Sequence, residues 1–179
     1  MDNEEARSSI QDLLYRYARG VDRREWELVR SCYHTDAVDH HGGYVGNRDG
    51  LIEWMKVRHE TIRLSMHFIS NILVDFRSAD TARVESYCVT VQRMNVSEAG
   101  ESLKMYDIPA LDDTLSGEVI ETEVRCRFVD LVTSRNDEWR VLRRTVVFES
   151  LDYRSFVPTS LGENLVAGSR HPDDPLWSL

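Results

Sequence analysis

The sequence predicts an α+β fold: a curled mixed or antiparallel β-sheet drawn into a cone, with three helices from the N-terminal half enclosing a pocket. Three observations carry this expectation. Roughly the first sixty residues place their apolar side chains at helical spacing. Four long runs after them are dense in Val, Ile, Thr and aromatic residues. Turn-like stretches divide those runs into consecutive pairs. Helices first and strands later is the α+β order. A long antiparallel sheet curls with its own twist, and helices packed on its concave side leave a partly filled cone, a natural pocket open at one end.

The elements follow in order. Ile10, Leu13, Leu14, Tyr17, Ala18 and Val21 step by threes and ones, which is one helical stripe. Gly20 is the expected stop, because glycine tolerates the left-handed conformation that ends helices. A second short helix should begin after Asp22, with Trp26, Val29, Arg30 and Tyr33 near one face. HTDAVDHHGGYVGNRDG predicts a small hairpin or irregular strand pair around Val38 and Tyr44. Asn47 or Asp49 can cap a third helix through Leu51, Ile52, Trp54, Met55 and Ile62. SMHFISNILVDF, TARVESYCVTVQRM, EVIETEVRCRFVDLVTS and EWRVLRRTVVFESL are the four strand runs, and RSAD and SRNDE should fold consecutive runs into antiparallel hairpins. The polar segment VSEAGESLKMYDIPALDDTLSGE predicts an exposed excursion, either a lid or an oligomer contact. Residues 1–157 are expected to form one domain. Residues 158–179, with three of the four prolines, form a surface tail whose Leu176, Trp177 and Leu179 would seek a partner groove.

Composition narrows the function classes. The 179 residues are 41% hydrophobic and 30% charged, ordinary for a globular domain with a real core. The formal charge is −9, from 31 acidic against 22 basic residues. Such a surface repels nucleic acid and anionic membranes, so neither is an expected partner. No apolar run approaches the roughly 18 residues of a membrane span, and the acidic start MDNEEARSS has no leader character. Cys32, Cys88 and Cys126 are widely spaced and odd in number, which fits reduced thiols filling the core of a cytoplasmic protein.

Several residues are candidates for chemistry. Asp22 fits a capping box with Glu25, yet one carboxylate can also cap a helix and accept a bond from a buried imidazole. His67 begins a strand covered on both faces; alone it reads as a core histidine, and with a carboxylate partner it becomes a usable general base. Tyr17 lies on the first helix's apolar stripe, about one turn before Asp22, as core packing or as a donor into the pocket. Arg125 and Arg127 alternate with Cys126 and Phe128, where an arginine can pair with a buried carboxylate or steady an oxyanion. Arg143 and Arg144 offer the same on the last strand, one of them on a solvated rim. His34, Asp36, Asp39, His40 and His41 crowd one stretch without a metal-ligand pattern, and adjacent His40 and His41 would point opposite ways on a strand, so no metal site is expected.

LLYRYARGVDRREWELVRSCYHTDAVDHHGGYVGNRDGLIEWM resembles the start of the SnoaL-like branch of the nuclear transport factor 2-like superfamily, and MHFISNILVDF and CRFVDLVTSRNDEWRVLRRTVVFES resemble its later strands. The resemblance spans residues from about 8 to 150. It implies the cone fold (cystatin-like in outline) and a cofactor-free, metal-free pocket in which a His–Asp pair removes a proton during an elimination. The aspartate of the dehydratase and dehydrochlorinase members matches Asp22, the histidine matches His67, a first-helix tyrosine matches Tyr17, and a third-strand arginine matches Arg127. Asn71 falls within the matched strand motif and takes a supporting role. Trp54, Phe128 and Arg144 complete the expected substrate-binding set.

The expected activity is therefore that of a dehydratase-like lyase or an isomerase acting on a bulky, mostly apolar small molecule, such as an aromatic, polyketide or steroid-like compound. The alternatives are a non-catalytic binding or accessory subunit and a polyketide cyclase. The resemblance also implies a homo-oligomer, a trimer before a dimer.

Overall fold

The computed structural model describes residues 3–104, 106, 118–157 and 159–178. Helix α1 (Asn3–Arg23) buries Ala6, Ile10, Leu13, Leu14, Tyr17, Ala18 and Val21, the stripe the spacing predicts. It does not stop at Gly20. The left-handed residue that ends it is Arg24, with φ 58°. Glu25 N donates to Gly20 O at 2.8 Å and Arg24 N to Val21 O at 3.4 Å, the paired bonds of a Schellman ending. Gly20 is glycine for a different reason: a Cβ there would lie 2.8 Å from Val29 Cγ2 of the next helix.

Helix α2 (Trp26–Ser31) starts from Glu25 with no side-chain cap, so Asp22 does not cap it. Strands β1 (Tyr33–His41) and β2 (Tyr44–Asn47) form the expected hairpin, turned at Gly42 with φ 62°. Asn47 caps α3 (Arg48–His59), accepting from Gly50 N at 2.9 Å. Ile62 is not on that helix; it opens the first long strand.

Strands β3 (Ile62–Ser78), β4 (Thr81–Asn95), β5 (Val119–Arg135) and β6 (Glu138–Phe156) are the four predicted runs. The β5–β6 turn places Asn136 and Asp137 at φ 55° and 63°, the double positive φ that tight hairpins favour. The sheet order is β2-β1-β6-β5-β4-β3, with β1 parallel to β6 and every other pair antiparallel. The sheet is curled but open, with β2 and β3 at its edges. Its inner face meets α1 and α3 in one core that includes Leu13, Leu14, Tyr33, Leu51, Ile52, Val84 and Val132.

Two segments depart from expectation. The insertion after β4 is not wholly an exposed excursion. A 3-10 turn (Val96–Glu98) and helix α4 (Ala99–Lys104) bury Ala99, Ser102 and Leu103 against Ile62, Met94 and Ile120. The polar letters mislead because only every third or fourth residue turns inward. The rest of that insertion, 105 and 107–117, lies outside the described residues. The tail is mostly exposed, but Arg170 is buried and tied to the C-terminal end of α1, and Leu176 borders a groove beside Asp22. Leu179 lies outside the described residues. Among the described residues no helix is long and apolar enough to cross a membrane.

Candidate active site

A narrow cavity lies between α1, α3 and the inner faces of β3 to β6. Its void, counting the space open to solvent, measures about 440 Å³. Tyr17, Trp54, Arg58, His67, Tyr106 and Phe128 are among its walls.

His67 lines this cavity and meets Asp22, which borders the neighbouring groove. Among the described residues β3 is an edge strand, so the main-chain N–H of His67 has no neighbouring strand to bond and turns to α1 instead. It donates to Asp22 Oδ2 at 2.8 Å, while His67 Nδ1 lies 2.7 Å from Asp22 Oδ1. Ser65, two residues earlier on the same face, donates its hydroxyl to Oδ1 at 2.8 Å. Asp22 sits in the last turn of α1, where the helix dipole disfavours a carboxylate. These three donors offset that. An ionised carboxylate only accepts, so Nδ1 carries the ring hydrogen and Nε2 keeps its lone pair. Burial disfavours the imidazolium, but the charge and hydrogen bond of Asp22 outweigh it, and the His67 pKa is raised above its usual value.

The other expected residues divide. Tyr17 is 1% exposed, lines the cavity and packs edge-on against Phe128 at 5.8 Å; burial holds its hydroxyl protonated far above the usual range. Phe128 and Trp54 also line the cavity. Arg144 does not line the cavity. It is fully buried, forks onto Asp130 at 2.8 and 2.6 Å, and stacks its guanidinium 4.3 Å from the Tyr17 ring, so it supports Tyr17 from behind. Arg143 is exposed.

Arg127 is outside the cavity. It is opposite Tyr87 on the outer face, bonded to Glu85 and Glu149 at 2.6 Å each. The strand's period of two decides this: Cys126 and Phe128 face inward, so Arg127 cannot. Asn71 is exposed in a bulge of β3, with φ 49°, and contributes a bend rather than a contact. The three cysteines are buried and unlinked; Cys88 and Cys126 are opposite each other in the inner face.

Several cavity residues escape a reading of the sequence. Arg58 and His59 continue the α3 stripe of Leu51, Ile52 and Met55, and this phase is the overlooked signal: a cation placed where the core face must lie. Arg58 Nη2 donates to Gln92 Oε1 at 2.7 Å; Gln92 Nε2 donates to Ser65 Oγ at 3.3 Å. With the Ser65–Asp22 bond, one hydrogen-bonded chain runs from Arg58 to His67. Tyr106 adds a phenol 3.1 Å from Arg58 Nη2. Arg170 reaches in from the tail, donating to Asp22 O at 2.8 Å, Val21 O at 2.9 Å and Ile62 O at 2.6 Å. No local pattern announces a contact 148 residues away in sequence.

The histidine and aspartate stretch is dispersed. His34 bonds Thr133 O, Asp36 forks onto Arg135, and Asp39 accepts from Tyr33. His41 lines the cavity, with Nδ1 3.4 Å from Asp39 Oδ1. Among the described residues no three His, Cys, Asp or Glu side chains group as metal ligands.

Comparison with known proteins agrees with this architecture. The SnoaL-like domain family matches residues 3–145. A scytalone dehydratase candidate from Novosphingobium aromaticivorans DSM 12444 superposes with a TM-score of 0.67 at 16% identity, over 92% of this chain and 97% of its own. The hexachlorocyclohexane dehydrochlorinase LinA-type3 from Novosphingobium barchaimii LL02 gives 0.68 at 16%, over 87% and 96%. A protein of unknown function from Mycobacterium tuberculosis gives 0.62 at 16%, over 82% and 78%. At these identities the likeness is one of fold. No curated protein sequence matches the chain.

Proposed function

The chain belongs to the SnoaL-like domain family, within the nuclear transport factor 2-like superfamily, and on that premise we propose that it is a cofactor-independent lyase or isomerase acting on a small molecule. The observation that carries this reading is the largely buried His67–Asp22 pair, whose imidazole lines the cavity. His67 Nε2 takes a proton from carbon beside a carbonyl or a leaving group. Asp22 fixes the tautomer and stabilises the imidazolium that forms. Tyr17, kept as a phenol, donates a hydrogen bond to the substrate oxygen or the departing group. Positioned proton transfer supplies on the order of a hundred- to ten-thousand-fold, and exclusion of water from the narrow cavity adds to it.

The dehydratase and dehydrochlorinase likenesses favour elimination over isomerisation or cyclisation. The expected self-association remains part of the proposal, with the exposed Met66, Phe68 and Tyr87 of the outer face as the surface a second copy would cover.

The test is a panel of β-hydroxycarbonyl and β-chloro compounds incubated in D2O. Mass spectrometry follows loss of water or HCl and uptake of deuterium. Turnover that disappears in His67→Ala and in Asp22→Asn is expected. Binding without turnover, untouched by His67→Ala, would identify a binding module instead.

A further inference from the structure

Arg58 is buried among neutral partners. It is 7% exposed and lines the cavity. Among the described residues its polar contacts are all to uncharged groups: Gln92 Oε1, Tyr106 Oη, Ser102 O at 3.4 Å and His59 Nε2 at 3.2 Å. A guanidinium stays protonated in proteins, so among the described residues a full charge is buried here against dipoles alone. The surroundings add positive charge: Arg24 and Arg170 both reach the Ile62 carbonyl nearby.

The contact with His59 is weaker than its distance suggests. His59 Nδ1 faces Arg170 Nη2 at 2.8 Å, and Nε2 faces Arg58 Nη1 at 3.2 Å. Both arginines can only donate, and a neutral imidazole has one lone pair. Burial and the two cations hold the His59 pKa well below its usual value, so the ring is neutral. The shorter contact takes the lone pair. His59 then turns its own N–H toward Arg58 Nη1, which among the described residues is left without an acceptor. Tyr106 accepts from Nη2 and keeps its hydroxyl hydrogen to donate.

We propose that the small molecule bears a carboxylate, which seats on Arg58 Nη1 with the Tyr106 hydroxyl as second donor. This rests on the reading of the cavity as a substrate pocket and narrows the substrate class. It moves the expectation from a mostly apolar molecule to an organic acid with an apolar body against Tyr17 and Phe128. A guanidinium matches a carboxylate with directed, charge-assisted bonds. The Arg58–Gln92–Ser65–Asp22 chain joins this anchor to the base, so the acid and the proton to be removed are held within one network.

The experiment compares 4-fluorobenzoate with 4-fluorobenzamide, alike in shape and different in charge, by 19F NMR titration of the full chain. The acid is expected to bind at least about tenfold tighter. In Arg58→Gln the preference should fall to within about twofold, and Arg58→Lys, which keeps the charge without the fork, should retain part of it. In His67→Ala the preference should persist, which separates this anchor from the proposed base. Equal binding of acid and amide, no binding of the acid at about 10 mM, or a preference that survives Arg58→Gln overturns the proposal. Turnover that depends on His67 would stand even then, and loss of turnover would leave the acid preference standing.

Discussion

Asp22 and His67 are joined twice, once through the imidazole at 2.7 Å and once through the main-chain amide at 2.8 Å. The second bond makes the pair rigid. An edge strand offers an unpaired N–H, and the carboxylate satisfies it, so the same group that polarises the ring also fixes the strand that carries it. Residues 45 positions apart in sequence are thereby held as one unit.

The pair ties stability to pH. The folded His67 pKa lies above its unfolded value. The pairing therefore contributes fully below the unfolded pKa of about 6.5, and its contribution is lost as pH rises through the folded value. Asp22→Asn leaves a largely buried ring with no charge partner. It is expected to destabilise the protein by about 3 kcal/mol at pH 6, with the difference from wild type narrowing at pH 9. Urea denaturation at both values checks this.

Arg127 matches the family arginine by position, yet its partners are Glu85 and Glu149 on the outer face. Arg127→Gln is expected to leave turnover and carboxylate binding unchanged. A large loss of either would mean that this side chain reaches the cavity.

Gly20 is a packing glycine. A Cβ would meet Val29 Cγ2 at 2.8 Å and Val29 N at 3.2 Å. Gly20→Ala, usually stabilising inside a helix, is expected here to cost about 1–3 kcal/mol by overpacking. Thermal unfolding decides the sign.

Arg170 satisfies three main-chain carbonyls, two of them at the end of α1. Arg170→Met keeps much of the volume and removes every donor. It is expected to cost about 3 kcal/mol, or roughly 6–12 °C in melting temperature. Because Asp22 lies on the same turn, the kcat of any His67-dependent turnover should fall as well.

The layout of the fold and half of the site are legible in the sequence. The stripe from Ile10 to Val21, the Asn47 cap and the four β-rich runs each express a local rule, and each is an element of the structure. Asp22 reads two ways because a capping box needs only local letters. The Arg24 turn, which rules out the cap, depends on a non-glycine residue in a left-handed conformation that local preference argues against. At Arg127 family position competes with strand alternation, and alternation wins. Arg58 is legible in the phase of α3 but easily passed over, because a charge in a core stripe contradicts the usual pattern. Gln92, Tyr106 and Arg170 reach the site only through tertiary contacts that no local spacing encodes.

The central claim is tested most directly by titrating the His67 imidazole, followed by its 15N resonances in wild type and in Asp22→Asn. The account predicts an Nδ1–H tautomer with a pKa above about 6.5 that falls below that value in Asp22→Asn. A ring that titrates like a solvent-exposed histidine, unchanged by the loss of the carboxylate, would contradict it.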